Sequence, residues 1–177
     1  PQGQHDDIGE EAARALKALG VTSGIFHVEC WLTERGPVLG EVHVRPGGDW
    51  LHAMVEWAYP GLELFGSLHD DLLGLPVTLP TAPARGAAVR FVTPAPGVVT
   101  GVEGWDAVTA RPDLITAELT VTPGAVVAAM GSSADRVGTV CLGADSAQAA
   151  EREAEALIGR LTVRTEPAAG GPAERAQ

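Results

Sequence analysis

The feature that most constrains this chain is an alternating stretch that carries charge on one face. Residues 24–32 read GIFHVECWL, with Phe26, Val28 and Cys30 pointing one way and His27, Glu29 and Trp31 the other. Alternation with a period of two predicts a strand. Thr33, Glu34, Arg35 and Gly36 predict a hairpin turn. Residues 37–44, PVLGEVHV, predict a second strand on which Glu41 and His43 share a face. Charged side chains in strand interiors are costly unless they are solvated or paired.

Two readings of the charged face follow from the residues. In one, the hairpin face is solvated, and Arg45 pairs with Glu29 or Glu41 as a surface ion pair. In the other, a divalent cation with hard oxygen ligands lies between the two carboxylates. Mg²⁺ usually keeps water and substrate phosphates as its other ligands. Pro46, Gly47, Gly48 and Asp49 follow Arg45. The glycine pair lets backbone come close to a ligand, and its amides lead into a helix N-terminus that favours anions.

The rest of the chain organises around this hairpin. Residues 8–19 predict a helix, with Ile8, Ala12, Ala15, Leu16 and Leu19 on one face, Asp6 or Asp7 as cap and Gly20 as stop. Helices are expected over 50–58, with Asp49 as cap, and over 62–73, ended by Gly74. Residues 75–86, LPVTLPTAPARG, read as a linker. Strands are expected at 87–92, 98–102, 114–121, 137–143 and 160–164. A helix at 145–159 is capped by Asp145 or Ser146. The tail, 167–177, reads as disordered. The fold class is therefore α+β: an antiparallel hairpin plus helices, followed by a small, mainly antiparallel β unit with one helix.

Composition narrows the function. The formal charge is −11 and the hydrophobic fraction 45 %. That is enough apolar surface for a core, and too acidic for nonspecific nucleic-acid binding. No run of 18 apolar residues predicts a membrane span. Cys30 and Cys141 are too far apart in sequence for a disulfide framework or zinc site. The first eleven residues are polar and acidic, so a cytoplasmic location is the expectation. Residue 1 is Pro, not Met, which raises the expectation of a missing start. Lys17 is the single lysine among 12 basic residues, so a mechanism that needs several lysines on phosphates is incomplete within this chain.

Residues 24–50, GIFHVECWLTERGPVLGEVHVRPGGDW, resemble the metal-binding end of the ATP-grasp ligases. In that family a strand carries an acidic residue, a hairpin follows, and the next strand carries Glu-x-Asn-x-Arg. Here these positions are Glu29, then Glu41, His43 and Arg45, and the spacing from Glu29 to Glu41 suits the family's hairpin. The RPGGD continuation resembles the branch of L-amino-acid ligases and other carboxylate–amine ligases. Residues 87–164 look like their C-terminal lid subdomain, which is related to the biotin carboxylase C-terminal region. The resemblance spans about residues 8–164.

The resemblance implies a division into residues 1–74 (C-terminal part of the ATP-grasp domain), 75–86 (linker), 87–166 (lid) and 167–177 (tail). It implies Glu29, Glu41 and His43 as ligands of Mg²⁺ or Mn²⁺, with ATP as substrate. Arg45 would be the catalytic residue, holding the acyl phosphate or substrate carboxylate. Gly47, Gly48 and His27 would line the substrate or phosphate pocket. The implied reaction activates a carboxylate with ATP to an acyl phosphate, which an amine then attacks. Two departures stand out. His43 replaces the usual Asn, and imidazole prefers softer metals than Mg²⁺. Nothing before residue 24 supplies the family's nucleotide lobe. The expected partners are therefore ATP, small carboxylate and amine substrates, and a missing N-terminal lobe or a separate chain carrying it, with a homodimer left open. A non-catalytic accessory module and one half of a split enzyme are the alternatives.

Other residues carry plainer expectations. His52 and His69 read as surface or packing residues, and Trp50, Met54 and Trp57 as core at helical spacing. Arg90 reads as a strand-edge ion pair. Ser132, Ser133 and Asp135 lack a histidine placed to activate a nucleophile.

Overall fold

The order of strands and helices follows from where the alternation breaks. In the computed structural model, which describes residues 2–167, the chain runs α1 (Gln2–Ala18), β1 (His27–Thr33), β2 (Gly36–His43), α2 (Leu51–Ala58) and α3 (Leu64–Leu72). It continues through β3 (Gly86–Val92), β4 (Gly97–Glu103), α4 (Trp105–Thr109), β5 (Leu114–Leu119), β6 (Val126–Val127), β7 (Gly138–Ala144), α5 (Ala147–Ile158) and β8 (Thr162–Glu166). The strands form three sheets, ordered β1-β2, β3-β7-β5 and β6-β4-β8, and every pairing is antiparallel. The architecture is α+β, as the sequence pattern implies.

Two compact units are present. One comprises residues up to His52 together with 61–81; the other comprises 53–60 and the chain from Ala82 onward. The second unit holds both hydrophobic cores. Strand β7 is central in its sheet and buried along most of its length, with Val140, Cys141 and Leu142 fully inaccessible. Near-continuous burial requires cover on both faces. Helix α5 supplies it on one side through Ala150, Ala154 and Leu157, which recur at helical spacing and pack with Ala88, Val108, Val140 and Leu142. A second cluster gathers Val92, Val99, Val121, Val127 and Val137.

The first unit is built differently. Leu16 is its one buried hydrophobic side chain among the described residues, while Trp31, Leu32, Val38, Val44, Leu72 and Leu73 are all more than half exposed.

Several sequence expectations are corrected. Asp6 and Asp7 fall inside α1 rather than capping it. Strand β1 begins at His27, not Gly24, because Gly24 takes a positive φ of 105° that turns the chain. Asp49 does not adopt the extended backbone of an N-cap. It and Trp50 are both left-handed, with φ of 52° and 62°. Trp50 is 38 % exposed rather than core. Of the two candidate caps for α5, Ser146 is the one used; its hydroxyl accepts from the Ala149 amide at 3.2 Å. The second unit also contains α4, a further short helix that the pattern did not announce. The expected disorder at 167–177 falls, apart from Pro167, outside the described residues.

The remaining expectations resolve as follows. Arg90 pairs with Glu155 of α5 at 2.8 Å. Ser132 and Asp135 form a reciprocal cap on a 3₁₀ turn over Ser133–Asp135. The Gly131 and Ser132 amides donate to the Asp135 carboxylate and lower its pKa. This spends both side chains on structure.

Candidate functional site

The charged cluster is set by hairpin register. His27 faces His43 and Glu29 faces Glu41 across β1 and β2. Directly opposed residues of an antiparallel pair project from the same face, and like charges there are destabilising. The register then slips between Glu29 and Cys30, so that Cys30 pairs with Leu39 and Gly40 is passed over. This bulge re-aims the strand just beyond the carboxylates. It also seats Trp31 over Gly40: a Cβ on Gly40 would lie 2.6 Å from the indole.

Basic groups surround the carboxylates. His27 Nε2 lies 3.0 Å from Glu29 Oε1, and His43 Nε2 lies 2.5 Å from Glu41 Oε1. Arg45 Nη2 lies 3.5 Å from the same Glu41 oxygen, while its Nη1 donates to the Pro46 carbonyl at 2.9 Å. Glu29 is 59 % and Glu41 42 % exposed. Pairs this open to water contribute at most about 1 kcal/mol each, so they do not by themselves explain why two carboxylates face one another.

The cluster fits a divalent cation. One ligand atom from each of His27, Glu29 and Glu41 lies within 4.8 Å of the others. Two carboxylates and an imidazole, open on one side, leave room for water or substrate oxygens to complete a coordination shell. The family resemblance implies His43 as a ligand and His27 as a pocket residue. The geometry groups His27 with the two carboxylates and leaves His43 beside Glu41. The signal for His27 was already present in the alternation, which puts it on the Glu29 face.

Gly47 serves the same cluster. A Cβ there would lie 2.9 Å from His27 Nδ1 and 2.5 Å from Leu51 Cδ1, so the glycine admits the imidazole. Gly48 has open space around it. The first unit also contains a largely apolar groove of about 470 Å³, lined by α1, α3 and the segments 21–26 and 77–79. None of the site residues named above lines it. Its lining includes the hydroxyl residues Thr22, Ser23 and Ser67 and one acidic residue, Asp71, which accepts from the Gly24 amide at 3.2 Å. Among the described residues no helix is long and apolar enough to cross a membrane.

Comparison with known proteins gives the fold a context. Residues 90–166 match the family described as L-amino acid ligase C-terminal domain 2. The chain superposes on an L-amino acid ligase from Bacillus licheniformis with a TM-score of 0.80 and 20 % identity, covering 94 % of this chain and 42 % of that one. A phosphoribosylglycinamide synthetase from Anaerococcus prevotii gives 0.77 and 15 % identity, covering 94 % and 43 % respectively. In sequence, an uncharacterized protein of Sinorhizobium fredii is 29 % identical over 149 residues, which is 84 % of this chain and 31 % of the relative. Carnosine synthase 1 of Gallus gallus is 36 % identical over 84 residues, 48 % of this chain and 9 % of the relative. The chain thus spans less than half the length of each of these four proteins.

Proposed function

We propose that this chain, which has the fold of the C-terminal part of an ATP-grasp ligase, completes the active site of an ATP-dependent carboxylate–amine ligase. The observation that carries the reading is the register of the hairpin, which sets Glu29 opposite Glu41 with Arg45 beside Glu41. Glu29 and Glu41 would hold Mg²⁺ or Mn²⁺, with an imidazole as third ligand. When bound, the ion neutralises charge on the ATP phosphates. Arg45 leaves Glu41 to bind the acyl phosphate or substrate carboxylate. Its planar guanidinium suits a two-pronged contact with either group. Gly48, with open space around it, would leave backbone room for that group, while Gly47 seats the His27 ring at the pocket's edge. The amine attacks the activated carbonyl, and phosphate departs.

In this reading residues 1–74 end the ATP-grasp domain, 75–86 link, and 87–166 form the lid. The nucleotide lobe comes from elsewhere in the same polypeptide or from a partner chain. The single lysine and the exposed apolar side chains of the first unit support that division of labour. The setting is the cytoplasm, where Cys30 and Cys141 stay reduced, outside any disulfide. The same two features support a second reading, a non-catalytic accessory module that docks without turnover. One experiment separates them. In the protein assembled with its nucleotide lobe, Glu41→Gln should lower amine-dependent ADP release by about a hundredfold or more. Turnover that is unchanged by the substitution, or absent from the assembled wild type, removes the ligase assignment.

A further inference from the structure

We infer that His27 is a direct metal ligand, and that it makes the hairpin site prefer an imidazole-accepting transition metal such as Mn²⁺ to Mg²⁺. The inference rests on the proposed metal site and deepens it.

Three observations carry it. First, His27 shares a face with both carboxylates, and its ligand atom lies within 4.8 Å of theirs. Second, its side chain is 16 % exposed, against 59 % for Glu29 and 43 % for His43, so it is the most buried member of the cluster. Third, its orientation is held from the other side. Nδ1 sits against Gly47, where even a methyl group would intrude, and Nε2 is the atom turned toward Glu29 Oε1 at 3.0 Å. A packed imidazole with one nitrogen against backbone and the other toward two carboxylates is a preset nitrogen donor.

The selectivity follows from ligand chemistry. Mg²⁺ binds oxygen and dehydrates reluctantly, so a nitrogen ligand adds little to its affinity. Imidazole raises the affinity of first-row transition metals. His43, more exposed and engaged with Glu41 Oε1, is left as a flanking group.

The test is Mn²⁺ binding to the full chain by electron paramagnetic resonance, with pulsed detection of nitrogen coupled to the metal, and Mg²⁺ binding by calorimetry. The expected result is Mn²⁺ affinity at least about tenfold above that for Mg²⁺, with a directly coordinated imidazole nitrogen in the wild-type spectrum. His27→Gln should abolish the nitrogen signal and bring the two affinities together. His43→Gln should keep the signal. Bound Mn²⁺ without coordinated nitrogen in the wild type overturns the inference and leaves the carboxylate site standing. Failure of the chain to bind either ion overturns both. The wild-type spectrum decides the matter even if His27→Gln fails to fold.

Discussion

Gly143 and Trp57 should be coupled strongly enough for one substitution to change sign with the other. Gly143 lies on β7, and a Cβ built there would fall inside the Trp57 indole. The Arg85 guanidinium covers the ring 4.4 Å from its centre, so moving the indole aside would give up that contact. Gly143→Ala in the wild type should therefore cost about 1–3 kcal/mol as overpacking. Trp57→Ala removes the obstruction, at its own cost of up to about 3 kcal/mol for lost burial. In that background Gly143→Ala should stabilise by about 0.5–1 kcal/mol, since alanine loses less backbone entropy in a strand than glycine. The coupling energy is then at least about 1.5 kcal/mol. Urea unfolding of the two single variants and the double variant measures it, provided the slopes with denaturant stay constant. Additive effects would refute the claim that the indole occupies the Gly143 face.

Two further predictions concern charge and backbone. Arg111 grips Asp113 through two hydrogen bonds, at 2.8 and 2.6 Å, and also reaches Glu153 on α5 at 3.2 Å. The guanidinium holds the Asp113 carboxyl below its usual range. A lowered carboxylate pKa adds stability that is complete above about pH 4 and is lost as the pH falls through the folded-state value. The wild type should therefore exceed Asp113→Asn in stability near neutrality, with the gap closing on acidification; a gap independent of pH refutes the assignment. Gly47→Ala should displace the His27 ring and lower Mn²⁺ affinity while leaving unfolding of the second unit's cores unchanged. An unaltered affinity shows that the glycine does not position the imidazole.

How far the sequence disclosed this molecule depends on the range of the forces involved. The hairpin was legible because alternation, a Gly36 turn and a second alternating run all agree locally. Ser146 and the Ala150, Ala154 and Leu157 stripe likewise announce α5. The Gly40 bulge was not legible, since a one-residue slip leaves the alternation of β1 intact. Helix α4, with five residues, and β6, with two, are too short for a period to register. Asp49 looked like a cap because residue type favours one, yet the turn out of the hairpin imposes a left-handed backbone on it and Trp50. At the site, the residue types and the charged strand faces were readable, but the register that sets Glu29 opposite Glu41 depends on the bulge. What seats the His27 ring is the contact with Gly47, twenty positions away, and such a contact exists only after folding.

The most direct test of the ligase account follows oxygen through the reaction. Carboxylate substrates labelled with ¹⁸O are supplied with ATP and amines to the protein assembled with its nucleotide lobe, and the released phosphate is analysed by mass spectrometry. The account predicts ADP as product and one labelled oxygen in each phosphate released, carried there by the acyl phosphate. Unlabelled phosphate accompanying product formation, or label recovered in AMP, would contradict it.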